Sequence, residues 1–251
     1  RNLSYDAKVA VITDGEKTIE NDEIVVRNAL YAVILLVFDT SYKLCHEAFS
    51  THKAVGEDPT EKVAARLNSA LKSGYEKLKE RHIADFSSIM SRVEFDIGGR
   101  YDGRTTDELL SSYKEGNDEP YLEEVYYQYG RYLLVSSSRR GTPPASLQGV
   151  WGSGFWHNIN VQMNYWHAFS ANIAETFDAY ADFFKAYLPE AEKNAKEWIK
   201  ETNPENFDGD CGWIIGTGAF CYEVEGKNPN SHSGPGTGGL TAKTFYAAYD
   251  F

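Results

Sequence analysis

Between Gln148 and Trp166 the chain reads Q-G-V-W-G-S-G-F-W-H-N-I-N-V-Q-M-N-Y-W. Three of its five tryptophans fall in these nineteen residues, with three asparagines, two glutamines and His157, and with no Asp, Glu, Lys or Arg. Aromatic faces beside uncharged amides suit a neutral ligand that has apolar ring faces and many hydroxyls, because indole stacks on C–H faces and amides bridge neighbouring hydroxyls. A sugar has that chemistry. Trp151, Trp156, Gln148 and His157 are its candidate contacts. Asn158 and Asn160 are two residues apart, so extended backbone projects both side chains to one side, whereas a helix sets them about 200° apart. The pair converges on one ligand only if N-I-N is extended. The same asparagines also suit a plainer role, closing turns or capping the next helix, for which Asn is a preferred type.

The elements that must position this stretch are helical. After it, Tyr165, Phe169, Asn172, Ile173, Thr176, Phe177, Tyr180 and Phe184 recur at three and four, which predicts a helix that Asn160 or Asn164 would cap. That helix is expected to end near Tyr187, with Pro189 starting another through Trp198 and Asn203-Pro204 stopping it. Before the stretch, Pro120 opens a helix that runs out at Ser136–Arg139, with Leu122, Val125, Tyr126, Tyr129, Tyr132 and Leu133 on one side. Residues 203–239 read as a long irregular segment whose Trp213, Phe220 and Tyr222 argue for an ordered loop at the site. A last helix is expected over Leu240–Tyr249. Met163 and Trp166 read as core, His167 as structural, and Arg139 as a tie within its loop.

Residues 1–45 read as strands: Lys8–Thr13, a turn at Asp14-Gly15-Glu16, Glu23–Asn28, and the apolar run Tyr31–Phe38. They are too few to close a sandwich. Asp58-Pro59-Thr60-Glu61 is a helix start, followed by an apolar stripe from Val63 to Leu78. Ile83–Met90, a strand-like Val93–Ile97 and Thr106–Tyr113 complete a helical linker over 46–118, and 119–251 read as the first part of a helical toroid with its function at the loop rim. The fold class is mainly α.

Lys plus Arg number 25 against 37 Asp plus Glu, a net charge of −12, which disfavours nucleic acid and anionic membranes. The longest apolar run, Ala29–Phe38, is too short to span a bilayer, and Arg1 opens without a leader pattern. Cys211 and Cys221 would pair only in an oxidising compartment, and reduced thiols are expected. Cys45, His46 and His52 lack the further ligands a tetrahedral metal site needs. No metal and no cofactor are expected. Gly234-Pro235-Gly236-Thr237-Gly238-Gly239 precedes a helix but lacks the strand and the Lys of a phosphate loop, so its glycines are read as allowing close approach to neighbouring helices.

Three blocks carry a family resemblance: Gly130–Arg139 (G-R-Y-L-L-V-S-S-S-R), Ala145–Trp151 (A-S-L-Q-G-V-W) and Asn158–Trp166 (N-I-N-V-Q-M-N-Y-W). With Asp58-Pro59, Thr106–Leu109 and Gly238-Gly239, they resemble glycoside hydrolase family 95 over nearly the whole chain. The resemblance implies an N-terminal β-sandwich ending in 1–45, a helical linker and an (α/α)6 barrel. It implies inverting removal of terminal α-L-fucose from oligosaccharides or glycans, with α-L-galactosides as the alternative substrates, and a secreted or cell-surface location. Asn158 and Asn160 match the pair that holds the attacking water in the family. The supporting Asp and the acid Glu are expected beyond Phe251. Trp156 departs from the pattern, since family members often carry His there, and the loop between Trp151 and Phe155 is short. Without the carboxylates, the chain would instead read as a non-catalytic sugar-binding module.

Overall fold

The structure is a computed structural model that describes residues 2–152, 155–157, 159–207, 209, 211–220, 223–224 and 236–251. Expectations for Asn158, Cys221, Tyr222 and Gly234-Pro235 lie outside the described residues. The described chain is about half helix with a few short antiparallel strands, a mainly α arrangement. It divides into two compact units, residues 1–43 with 52–85, and 44–51 with 86–251.

In the first unit, β1 (Tyr5–Thr13) pairs antiparallel with β4 (Ala32–Thr40) from Tyr5↔Thr40 to Thr13↔Ala32. Between them β2 (Glu16–Glu20) and β3 (Glu23–Arg27) form a nested hairpin. Its two turn residues, Asn21 and Asp22, have φ of 51° and 64°, the handedness that matches strand twist. The Asp14 carboxylate accepts from Leu30 and Tyr31 amides and closes the base of that excursion. Helix α2 (Thr60–Ser73) packs on β1 and β4, and Asp39 binds its Lys62 and Arg66 at 2.7 and 2.8 Å. The Asp58 carboxylate accepts from the Thr60 amide, but the residue at the N-cap is Pro59 and not the expected Asp58. The apolar stripe read through Leu78 is cut at Gly74, whose φ of 77° ends α2 before α3 (Tyr75–Met90) begins.

In the second unit, α1 (His46–Thr51) is a short helix that the sequence reading missed. Its Phe49 is buried edge-on against Phe183 and Tyr187, with ring centroids 5.6 and 6.1 Å away. The strand-like run Val93–Ile97 is irregular, held instead by the Glu124 carboxylate, which accepts from the Ile97 and Gly99 amides. Helix α4 (Thr106–Lys114) starts with a reciprocal box between Thr105 and Glu108. Helix α5 (Pro120–Ser137) carries Arg131, which is fully buried. Its guanidinium donates to the Ala171, Met90 and Ile89 carbonyls and to Gln128 Oε1 at 2.8–3.3 Å, and so ties α5 to the end of α3 and to the turn at Ala171.

The long helix read from Tyr165 onward is broken. Helix α6 (Asn160–Tyr165) is followed by turns, Asn172 at φ 53° and a 3-10 turn at Ala174–Phe177. Helix α7 (Asp178–Thr202) then runs straight through Pro189, so the expected break there does not occur. Tyr187, Ala191 and Ala195, all buried and spaced at four, keep one apolar face across the proline. The main core gathers Ile89, Leu134, Val135, Val161, Tyr165, Ile173, Phe177 and Tyr180. Helix α8 (Gly236–Asp250) contributes Phe245, which packs on Phe177 and Tyr180 at 5.1 and 5.5 Å. It starts four residues before the expected Leu240. A Cβ at Gly236 or Gly239 would meet nothing and one at Gly238 would only touch Trp213 at 3.5 Å, so close helix approach does not explain these glycines.

Candidate functional site

The Q-G-V-W to N-I-N stretch is held at several points by its neighbours. Ser146 and Gly149 exchange backbone hydrogen bonds of 3.2 and 3.0 Å in a tight turn, and Gly149 has the φ of 69° that such a turn requires. Gln148 stands exposed on this turn, and Trp151 beyond it is 91% exposed. The Ser146 hydroxyl accepts from the Trp156 amide at 3.2 Å. Short strand β5 (Phe155–Trp156) pairs with β6 (Gly218–Phe220), which in turn pairs with β7 (Glu223–Val224). The His157 amide extends that ladder by donating to the Thr217 carbonyl at 2.6 Å. Trp156 remains about two-fifths exposed beside this sheet.

His157 is wholly enclosed. Its ring stacks on Phe183 at 6.0 Å and meets Tyr187 edge-on at 5.8 Å. Residue 159 is the hinge of the motif. Ile159 has φ 140° and ψ −36°, so the extended N-I-N that the sequence suggested is not formed at its centre. A β-branched residue at that φ is strained, a feature that concentrates where a backbone is held for function. Asn160 is the first residue of α6 and is half-buried. Neither asparagine proposed as a cap is one, because α6 has no side-chain cap bond and Asn164 points elsewhere.

Asn164 donates through Nδ2 to the Ala145 and Ser146 carbonyls at 3.1 and 3.0 Å. Tyr165 completes this clamp: its hydroxyl accepts from the Ala145 amide at 3.1 Å and shares a 2.8 Å bond with the buried Ser138 hydroxyl. Burial pushes the Tyr165 phenol up to about 12. The next residues after Asn160 therefore hold the loop that carries Gln148 and Ser146. On the inner side of α6, Gln162 is fully buried and donates through Nε2 to the His157 carbonyl at 2.7 Å and to Thr241 Oγ1 of α8 at 2.9 Å. From sequence, Asn164 is read as a cap and Tyr165 as the start of a helical stripe, and only their partners reveal the clamp.

Met163 and Trp166, read as core, are 44% and 52% exposed. They lie on the outer side of α6, and Trp166 borders a cavity of about 240 Å³ with Phe169, Lys243 and Ala247. His167 is half-buried, and burial lowers its pKa, which fits a structural role. Arg139 and Thr142 close their loop on each other's backbone. Trp213 packs on Phe184 at 5.3 Å, and Ile215 and Thr217 are buried, so this part of the segment after Asn203 is an ordered wall beside β5. Cys45 and Cys211 are free thiols.

The carboxylates nearest in sequence are engaged. Glu175 pairs with Arg92 at 2.7 Å and Asp178 with Arg140 at 3.2 Å, so neither is poised as a free acid. Among the described residues no group of three or more His, Cys, Asp or Glu could hold a metal, and no helix is long and apolar enough to cross a membrane.

Residues 74–251 match the glycosyl hydrolase family 95 catalytic domain. The chain is 35% identical over 185 residues to alpha-L-fucosidase 2 of Arabidopsis thaliana, a match covering 68% of this chain and 22% of that protein. It is 34% identical over 193 residues to probable alpha-fucosidase A of Aspergillus niger, covering 69% of this chain and 24% of that protein. A probable alpha-fucosidase A of Aspergillus oryzae is likewise 34% identical over 172 residues. The chain thus spans about a quarter or less of the length of these relatives. With the catalytic-domain match running from the start of α3 to the end of α8, the chain belongs to glycosyl hydrolase family 95.

Proposed function

We propose that this chain is part of an α-L-fucosidase that removes terminal α-L-fucose from oligosaccharides or glycans with inversion at the anomeric carbon. The observation that carries the reading is the N-I-N motif at the start of α6, flanked by the uncharged aromatic rim and clamped by Asn164, Tyr165 and the β5–β6 pairing. Inversion needs a carboxylic acid to protonate the leaving oxygen and a separate group to direct water at the opposite face of the sugar. Asn158 and Asn160 are proposed to hold that water. An amide offers both an acceptor and a donor, so it can accept from the water and orient a lone pair toward carbon without itself taking the proton. The proton then needs the supporting Asp, and the leaving group needs the acid Glu. Both are proposed to follow Phe251 in sequence, as the family resemblance implies.

Trp151 and Trp156 are proposed to stack on the sugar's apolar face and Gln148 to bind its hydroxyls. His157, with its ring enclosed, is proposed to shape the substrate pocket from behind. Residues 1–45 are proposed to end an N-terminal β-sandwich, 46–118 to form a linker, and 119–251 to begin an (α/α)6 barrel. α-L-Galactosides are the second substrate class, since Trp156 occupies a position suited to reading the substituent at C5.

Proton NMR of the first-formed sugar tests the reading. The full-length protein acting on a 2'-fucosylated oligosaccharide should release β-L-fucose before mutarotation. Release of the α-anomer would refute inversion, and absence of turnover on both fucosides and L-galactosides would refute the hydrolase.

A further inference from the structure

We propose that Gln162 is a positioning residue for the water site, fixing the peptide that leads into Asn158 and coupling it to α8 through Thr241. This rests on the reading that Asn158 and Asn160 hold the water. Gln162 lies between Val161 and Tyr165 on the buried side of α6, where an apolar side chain would pack at no polar cost. It instead spends both amide hydrogens on specific partners, the His157 carbonyl at 2.7 Å and Thr241 Oγ1 at 2.9 Å. Of the two ends of a side-chain amide only the NH2 can donate to a carbonyl, so this bond fixes which way round the amide stands. The held carbonyl is bonded to the nitrogen of residue 158. The peptide just before it is gripped as well, where the His157 amide donates to the Thr217 carbonyl at 2.6 Å.

The anchor is equally enclosed. Thr241 is fully buried, and its hydroxyl accepts from Gln162 and, at 3.4 Å, from the Tyr180 hydroxyl of α7. A route of hydrogen bonds therefore runs from α7 and α8 through one glutamine to the residue before Asn158. The strained Ile159 stands directly after. A backbone held off its relaxed conformation needs neighbours that over-determine it. Gln162 bonds the peptide on one side of that strain while its own helix begins on the other.

The test compares Gln162→Leu, Gln162→Glu and Thr241→Val in the full-length enzyme with Asn160→Ala, on a 2'-fucosylated oligosaccharide, with thermal unfolding measured for each. Loss of the bond should misplace the water, so kcat of Gln162→Leu should fall about 100-fold while KM stays within about threefold. Thr241→Val should show the same pattern, smaller. In Gln162→Glu a protonated carboxyl can still donate to the His157 carbonyl and an ionised one cannot, so its kcat relative to wild type at the same pH should recover as pH falls. A merely structural role would lower folded yield and melting temperature without that pH signature. If Gln162→Leu does not fold, Gln162→Glu and Thr241→Val decide. Unchanged kcat in folded variants, or a rise in KM alone, overturns the positioning role while loss of activity in Asn160→Ala leaves the water site standing. Full activity in Asn160→Ala removes the water-site reading itself and this proposal with it.

Discussion

Replacing Arg131 by Met probes the bond network that holds the second unit together. The side chain is fully buried and, among the described residues, meets no carboxylate; its charge is met by the Ile89, Met90 and Ala171 carbonyls and by Gln128 Oε1. Two of those carbonyls end α3, where backbone acceptors lack helical donors and the helix dipole favours a cation. Burial also pushes the guanidinium below its ordinary range, the sign of a desolvation cost that its acceptors must offset. Met fills the space of the aliphatic stem but leaves the Met90 and Ala171 carbonyls without a donor, at about 1–3 kcal/mol each, while the Ile89 carbonyl keeps the Arg92 amide at 3.3 Å. Gln128 can turn away, and removing a buried charge returns part of its desolvation cost. The net loss should be about 3 kcal/mol. In urea, with a slope of about 1–3 kcal/mol/M, the midpoint should drop by at least about 1 M. Arg131→Lys should recover less than half of the loss, because an ammonium cannot match the planar fork. Circular dichroism against urea measures both variants. A change under about 0.5 kcal/mol for Arg131→Met would show that the network adds nothing and refute the argument.

Three further outcomes follow from the geometry. Tyr165 titrates near 10.0 when unfolded and is raised to about 12 when folded, so its neutral form stabilises the fold fully below pH 10.0 and that contribution is lost as pH rises towards 12. Alkaline unfolding should therefore be steeper for wild type than for Tyr165→Phe, and equal pH slopes would contradict the burial argument. Asn164→Ala removes two bonds to the Ala145–Ser146 loop, so it should cost about 1–2 kcal/mol in stability and reduce kcat/KM on a fucoside by at least about tenfold; normal turnover would show that the clamp does not set the rim. Trp151→Ala, at a residue 91% exposed, should leave the melting temperature within about 1 °C while raising KM, and an unchanged KM would remove Trp151 from the sugar contacts.

What the sequence revealed and what it hid have different physical causes. Strands β1, β3 and β4 were legible because alternation and turn residues act over a few positions, whereas β2 was not read; the Pro120 helix was legible from its proline, although Tyr126, Tyr129, Tyr132 and Leu133 of the stripe read along it are exposed. The unbroken α7 was misread because Pro189 outweighed the spacing of Tyr187, Ala191 and Ala195, although that spacing is itself in the sequence. Met163 and Trp166 were misplaced because a short α6 turns its outer side outward, whereas the longer helix expected there would have buried them. The composition of the N-I-N motif, from which a ligand site is proposed, was legible. Its scaffold was not: Gln162 meets a threonine 79 residues away, and Asn164 meets carbonyls 18 and 19 residues before it. No local periodicity encodes such partners.

The central claim is that Asn158 and Asn160 direct the attacking water, and the most direct measurement is kcat for Asn158→Ala and Asn160→Ala of the full-length enzyme on a 2'-fucosylated oligosaccharide. The account predicts a fall of at least about 100-fold in kcat for each, with KM and the melting temperature near those of wild type. Turnover close to wild type in either variant would contradict it.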